Sequence, residues 1–96
     1  MVRLSKSLLA AIQISRFSDD TRIPVRAICE MIALALRSAR AWERWANTGC
    51  SRSERAYNRD RAAIRDIAAR HGAKVSWPGL WPLISVDGRD YSLPSI

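Results

Sequence analysis

Near the start of the chain Leu4, Leu8, Ala11 and Ile12 recur at helical spacing, which predicts a short amphipathic helix over 4–15. The polar run Ser18-Asp19-Asp20-Thr21-Arg22 interrupts that pattern. Pro24 follows, a residue that opens a helix readily because its φ is preset and it has no amide proton to leave unpaired. A second helix is then expected over 24–48, since nothing breaks it before Gly49. At 1.5 Å per residue it is about 37 Å long. Its apolar residues fall in two stripes, Val25, Ile28, Cys29, Ile32, Leu36, Ala39 and Trp42 in one, Met31, Leu34, Ala41 and Trp45 in the other. A helix apolar over most of its circumference is expected to pack from two sides. The narrow face left over carries Arg26, Ala33, Arg37, Arg40 and Arg44.

Ser51 followed by Glu54 has the spacing of a capping box, in which each side chain satisfies the other residue's free amide. The third helix is therefore placed at 52–71 and ended by Gly72. One face holds Ser53, Tyr57, Ile64, Ile67, Ala68 and His71, and the opposite face holds Arg52, Arg55, Arg59 and Arg70, with Arg61 and Arg65 flanking. So short a connection between helices two and three predicts an antiparallel helical hairpin.

Beyond Gly72 the period drops to two, and strands are expected over 74–77, 83–86 and 89–93. Asp87-Gly88 between alternating apolar runs predicts a tight type I′ hairpin pairing Val86 with Arg89 and Ile84 with Tyr91. Pro78-Gly79 makes another turn, while Pro82 and Pro94 confine the strands to edges or ends. The fold class expected is α+β: an antiparallel helical hairpin with a short N-terminal helix and a small C-terminal antiparallel sheet that leans on the helices.

The 96 residues limit the expectation to a single domain over 1–96, with one modest core and no room for a large catalytic cleft. With 48% hydrophobic residues and four Trp, the chain is too apolar for the disordered class. Only Cys29 and Cys50 are present, in no CxxC pair, so no metal site is expected. Two reduced thiols are favoured over one disulfide, with Cys29 serving as a small hydrophobe. The N-terminal segment does not resemble a signal peptide, and no apolar run approaches a membrane span, so a cytoplasmic protein without a membrane partner is expected.

Catalytic equipment is sparse. His71 is the one imidazole and stands at a helix C-terminus, where it complements the dipole. Glu43, Glu54, Asp60 and Asp66 alternate with arginines, which points to a solvated, ion-paired face rather than an acid–base pair. No phosphate-loop, dinucleotide, zincin or nucleophile-elbow motif occurs, so neither an enzyme nor a cofactor is expected.

Charge is the more informative signal. The chain carries 16 Lys+Arg against 9 Asp+Glu, a net +7. Segments 1–23, 24–49, 50–71 and 72–96 contribute +2, +2, +3 and 0, so the helices carry all of it. Lys6 and Lys74 are the only lysines; the remaining basic residues are Arg, and with the abundant Ala this suggests a GC-rich coding sequence. Two readings stay open: a solvated basic face, and an array for an anionic partner through Arg37, Arg40, Arg44, Arg52, Arg55 and Arg59. A long helix turning back on itself does not fit the helix–turn–helix motif. The segment Trp77-Pro78-Gly79-Leu80-Trp81-Pro82 offers a second candidate, since Trp77 and Trp81 could form an aromatic interface platform or fold down over a small core, at least one ring being expected to do the latter. Trp42 and Trp45 lie on different sides of helix two, one expected in the core and the other under the first helix or at an interface.

Cys50-Ser51-Arg52-Ser53-Glu54, the Arg-rich run Arg55–Arg70 and His71-Gly72-Ala73-Lys74-Val75 give the stretch from Ala41 to Leu93 a resemblance to a loose group of small phage and prophage proteins, with Pro78-Gly79 in place of the group's DPRG-like turn. The resemblance implies an accessory protein, of the sort that includes inhibitors of host defence such as anti-CRISPR proteins. The function expected is a non-enzymatic binding protein that inhibits or modulates a host nucleic-acid-handling complex, its partner a host protein or ribonucleoprotein. The alternatives are direct DNA or RNA binding through the arginine face and, from the over-apolar second helix, a structural homodimer or larger homo-oligomer.

Overall fold

The computed structural model describes residues 6–94. Three helices, α1 (Lys6–Thr21), α2 (Val25–Thr48) and α3 (Ser51–Arg70), are followed by three strands, β1 (Lys74–Ser76), β2 (Leu83–Val86) and β3 (Arg89–Ser92). The class is α+β, a helical hairpin of α2 and α3 with α1 and an antiparallel sheet packed against it.

α1 is longer than the 4–15 expected from its first apolar residues, and it buries a different face. Ala10, Ile14, Phe17 and Thr21 are buried, whereas Leu8 and Ala11 are exposed and Leu4 lies outside the described residues. The helix continues through Ser18–Thr21 because Asp19 and Asp20 face water while Phe17 and Thr21 prolong the buried stripe at helical spacing. The true end lies at Arg22, with φ 61°. There the Thr21 hydroxyl donates to the Phe17 carbonyl at 2.7 Å and accepts from the Ile23 amide at 3.3 Å. The Ser18 hydroxyl donates to the Ile23 carbonyl at 2.7 Å, which satisfies the helix end around the fully buried Ile23.

Pro24 is the N-cap of α2, one residue outside the helix. The buried residues of α2 are Ala27, Ile28, Met31, Ile32, Ala35, Ser38 and Ala41, a single broad stripe that meets both α1 and α3. The two-stripe expectation is corrected: Val25, Cys29 and Trp42 are exposed and Trp45 is only half-buried, so neither Trp enters the core. Cys29 falls two to three residues from Ala27, Met31 and Ile32, on the far side of the helix from Met31, and reaches solvent as a free thiol.

Only Gly49 and Cys50 join α2 to α3. Gly49 takes the left-handed conformation and donates its amide to the Trp45 carbonyl at 2.7 Å. The chain re-enters a helix so soon that Cys50, not Ser51, is the N-cap; the expected Ser51–Glu54 capping box does not form, because its serine already stands inside the first turn. At the other end of α3 the Ala73 amide reaches the Ala68 carbonyl at 2.9 Å and the Gly72 amide the Ala69 carbonyl at 3.1 Å, a Schellman closure.

The sheet runs in the order β1-β2-β3, antiparallel throughout. Asp87 and Gly88 have φ 52° and 77°, and the hairpin they close pairs Val86 with Arg89 and Ile84 with Tyr91, the register that the Asp-Gly turn dictates. β2 is the central strand, with Pro82 buried just before it and Pro94 just after β3, where no ladder bond is lost. Ile84 is fully buried against the cluster formed by Ile28, Met31 and Ile64. The Phe17 and Tyr91 rings meet edge to face at 5.8 Å, tying α1 to β3.

Candidate functional site

Helical spacing gathers the arginines of the hairpin onto one side. On α2, Arg26, Arg37 and Arg44 are separated by 11 and then 7 residues; on α3, Arg52, Arg59 and Arg70 are separated by 7 and then 11. Both intervals are close to whole numbers of turns, so each set shares a face of its helix. Because the two helices run antiparallel, the mirrored spacings come into register as three rungs: Arg44 with Arg52, Arg37 with Arg59, and Arg26 with Arg70. Two observations fix that register. Arg37 and Arg59 both reach Asp60, and Arg26 and Arg70 line the same groove of about 220 Å³ beside Ile67.

The rungs differ in how far their charge is answered. Arg26 has Glu30 at 4.0 Å and Arg70 has Asp66 at 3.3 Å, each an exposed pair one turn apart and worth a few tenths of a kcal/mol at most. The middle rung shares one carboxylate. Asp60 is only 1% exposed, and Arg37 grips it with two hydrogen bonds, Nη2 to Oδ1 at 2.7 Å and Nε to Oδ2 at 3.1 Å, while Arg59 Nε stands 3.8 Å from Oδ1. The hydrogen bond and then the charge of Asp60 hold the Arg37 guanidinium above its ordinary pKa, against a small opposing effect of burial. Asp60 is thus an internal anchor between α2 and α3, not part of the solvated ion-paired face expected from its neighbours. The third rung is uncompensated. Among the described residues, Arg44 and Arg52 make no ion pair, nor do Arg40 and Arg55 beside them. Arg52, Arg55 and Arg59 surround Ala56 in an open groove of about 480 Å³.

Arg61 and Arg65, expected to flank the outer face, turn the other way. Their guanidinium carbons lie 4.2 and 4.8 Å from the centre of the Trp77 ring, and Arg61 also covers Tyr57 at 5.1 Å. Trp77 is half-buried against the core, and its indole nitrogen is buried without a hydrogen-bond partner, as is Arg61 Nε. Trp81 also packs on the core and donates Nε1 to the Leu93 carbonyl at 2.9 Å. Both rings of the Trp77–Pro82 segment therefore fold down. What they leave open is a cleft of about 340 Å³ lined by Trp42, Tyr57, Gly79 and Leu80, with Trp42 40% and Leu80 38% exposed. Trp42 is two residues from both Arg40 and Arg44, and Tyr57 two from both Arg55 and Arg59, which places the cleft about 160° around each helix from the arginines.

Cys50 is an exposed free thiol at the start of α3, its pKa lowered chiefly by the Ser53 amide, then by the Ser53 hydroxyl and the Arg52 amide. Among the described residues no three His, Cys, Asp or Glu side chains come together as a metal would require. None of the helices described is long and apolar enough to cross a membrane. Comparison with known protein families, curated proteins and solved structures finds no match.

The sequence singled out Arg37, Arg40, Arg44, Arg52, Arg55 and Arg59 together with Trp77 and Trp81. The structure brings the arginines to one face but gives Arg37 to Asp60, and sets the two tryptophans against the core on the other side. Arg26 and Arg70 complete the ladder, and their signal was the mirrored 11–7 and 7–11 spacing.

Proposed function

We propose that the chain is a non-enzymatic binding protein whose arginine ladder holds the phosphate backbone of nucleic acid. The observation that carries this reading is the uncompensated cluster Arg40, Arg44, Arg52 and Arg55 at the connected end of the hairpin. Arg40 with Arg44, and Arg52 with Arg55, are like charges one turn apart, which costs each helix a few tenths of a kcal/mol and is relieved by an anionic partner. Phosphates reward such an array by releasing counterions. Fluorescence anisotropy of a labelled oligonucleotide across a salt series tests it. Four phosphates neutralised give a slope of log K against log salt of about −3.6, and changing all four arginines to Gln should remove binding. No retention even at low salt sinks the reading.

A second reading rests on the cleft of Trp42, Tyr57, Gly79 and Leu80, whose exposed Trp is of the type that anchors protein interfaces. It is the reading of a phage-type accessory protein that acts in the host cytoplasm on a nucleic-acid-handling complex, gripping protein with the cleft and nucleic acid with the ladder. A pull-down from host lysate treated with nuclease separates the two. A partner that survives nuclease and is lost with the Trp42→Ser, Leu80→Ser variant supports the cleft as a protein site; a partner that disappears with nuclease leaves the ladder alone.

A further inference from the structure

We infer that the ladder is built for double-stranded DNA gripped by its backbone, without preference for base sequence; this rests on the nucleic-acid reading above. The first ground is the shape of the array. The cations stand in two rows, Arg40 and Arg44 on α2 and Arg52 and Arg55 on α3, carried by packed helices whose axes lie about 8–10 Å apart. Long, flexible guanidinium stems can widen that separation to suit phosphates on the two sides of a B-form major groove, about 12 Å across. A-form RNA presents a deep, narrow major groove and a wide minor one, and fits the rows less well. A single strand offers one row of phosphates and leaves the other row of arginines idle.

The second ground is what the ladder side lacks. Proteins that hold single strands without sequence preference combine a basic groove with aromatic rings on which successive bases stack. Here Trp42 and Tyr57 face away from the ladder, Trp77 is held under Arg61 and Arg65, Trp81 is tied to Leu93, and Trp45, the ring nearest the ladder, is half-buried. Between the arginines stand Ala33, Ala56 and Ala63, too short to reach a base edge, and Glu30 and Asp66, which pair with Arg26 and Arg70; Asn47, one turn beyond Arg44, adds a single amide, short of the three or four side chains that groove readout uses.

Anisotropy titrations of the full chain with a labelled duplex of about 20 base pairs, each of its single strands, and an RNA duplex of the same sequence decide the matter. The duplex DNA should bind about tenfold tighter than either strand and tighter than the RNA duplex, with no change when its sequence is scrambled. The double variant Arg52→Gln, Arg55→Gln should reduce the salt slope by about 1.8, while Arg89→Gln on the exposed part of β3 should leave it unchanged. Single strands bound as tightly as duplex, a tighter RNA duplex, or loss of affinity on scrambling each overturns the duplex inference while keeping the ladder as a nucleic-acid site. Failure to bind any of the three at low salt overturns both.

Discussion

Replacing Ile84 with Ala is expected to lower stability by about 3 kcal/mol and the melting temperature by roughly 15 °C. Ile84 is fully buried at the middle of the central strand, paired with Val75 on one side and Tyr91 on the other, and it plugs the core cluster that includes Ile28, Met31 and Ile64. A three-stranded sheet of such short strands has little stability of its own. Ile84 is the one buried residue of the three strands, so a cavity there removes apolar contact from β2 and from the hairpin at once. Ser85, its neighbour on the opposite face, bonds Asp90 at the surface at 2.6 Å, and Ser85→Ala should change stability by less than about 0.5 kcal/mol. Thermal and urea unfolding of both variants, followed by circular dichroism, measures the contrast. A loss below about 1 kcal/mol for Ile84→Ala means that the sheet is not a working part of the core.

The hairpin around Ile84 was legible in the sequence because its cause is local. Asp-Gly can take two successive positive φ angles, the alternation on either side then fixes the register, and no distant residue is consulted. The expectation for α1 fails because Leu8 and Ala11, apolar residues at its start, are exposed, while the buried stripe through Ile14, Phe17 and Thr21 crosses a run that looks like a loop. Which stripe is buried depends on where the sheet stands, and Phe17 meets Tyr91 across 74 positions of chain. For the same reason local pattern does not place Trp77 and Trp81: the partners that hold them, Arg61, Arg65 and the Leu93 carbonyl, are remote in sequence. Asp60 did carry a signal. It lies in line with Ser53, Ile64 and Ala68, at intervals of seven, four and four, so a carboxylate interrupts an otherwise uncharged face. A charge in that position demands a partner from across the helix pair, and the arginine row on α2 is where one stands.

That anchor sets stability against binding. Asp60→Asn keeps the shape of the side chain but removes the charge that two arginines address, and about 2 kcal/mol of stability, roughly 10 °C in melting temperature, is expected to go with it. The figure lies below the cost usual for breaking a buried pair, because Arg37 is 60% exposed and its freed guanidinium can return to water. The same change leaves the middle rung uncompensated. Arg37 and Arg59 then join Arg40, Arg44, Arg52 and Arg55, and the salt slope for duplex DNA should steepen by up to about 1.8, with tighter binding at low salt. Asp66→Asn, which releases only Arg70 from an exposed pair at 3.3 Å, should leave stability within about 0.5 kcal/mol of the parent and raise the slope by less than half as much. Anisotropy and thermal melts on the two variants, taken well below the melting point of the weaker one, read both effects. A weaker fold that binds DNA more tightly identifies Asp60 as a competitor for the phosphates. If affinity falls along with stability, Asp60 positions the arginines instead, and the ladder grips nothing by charge alone.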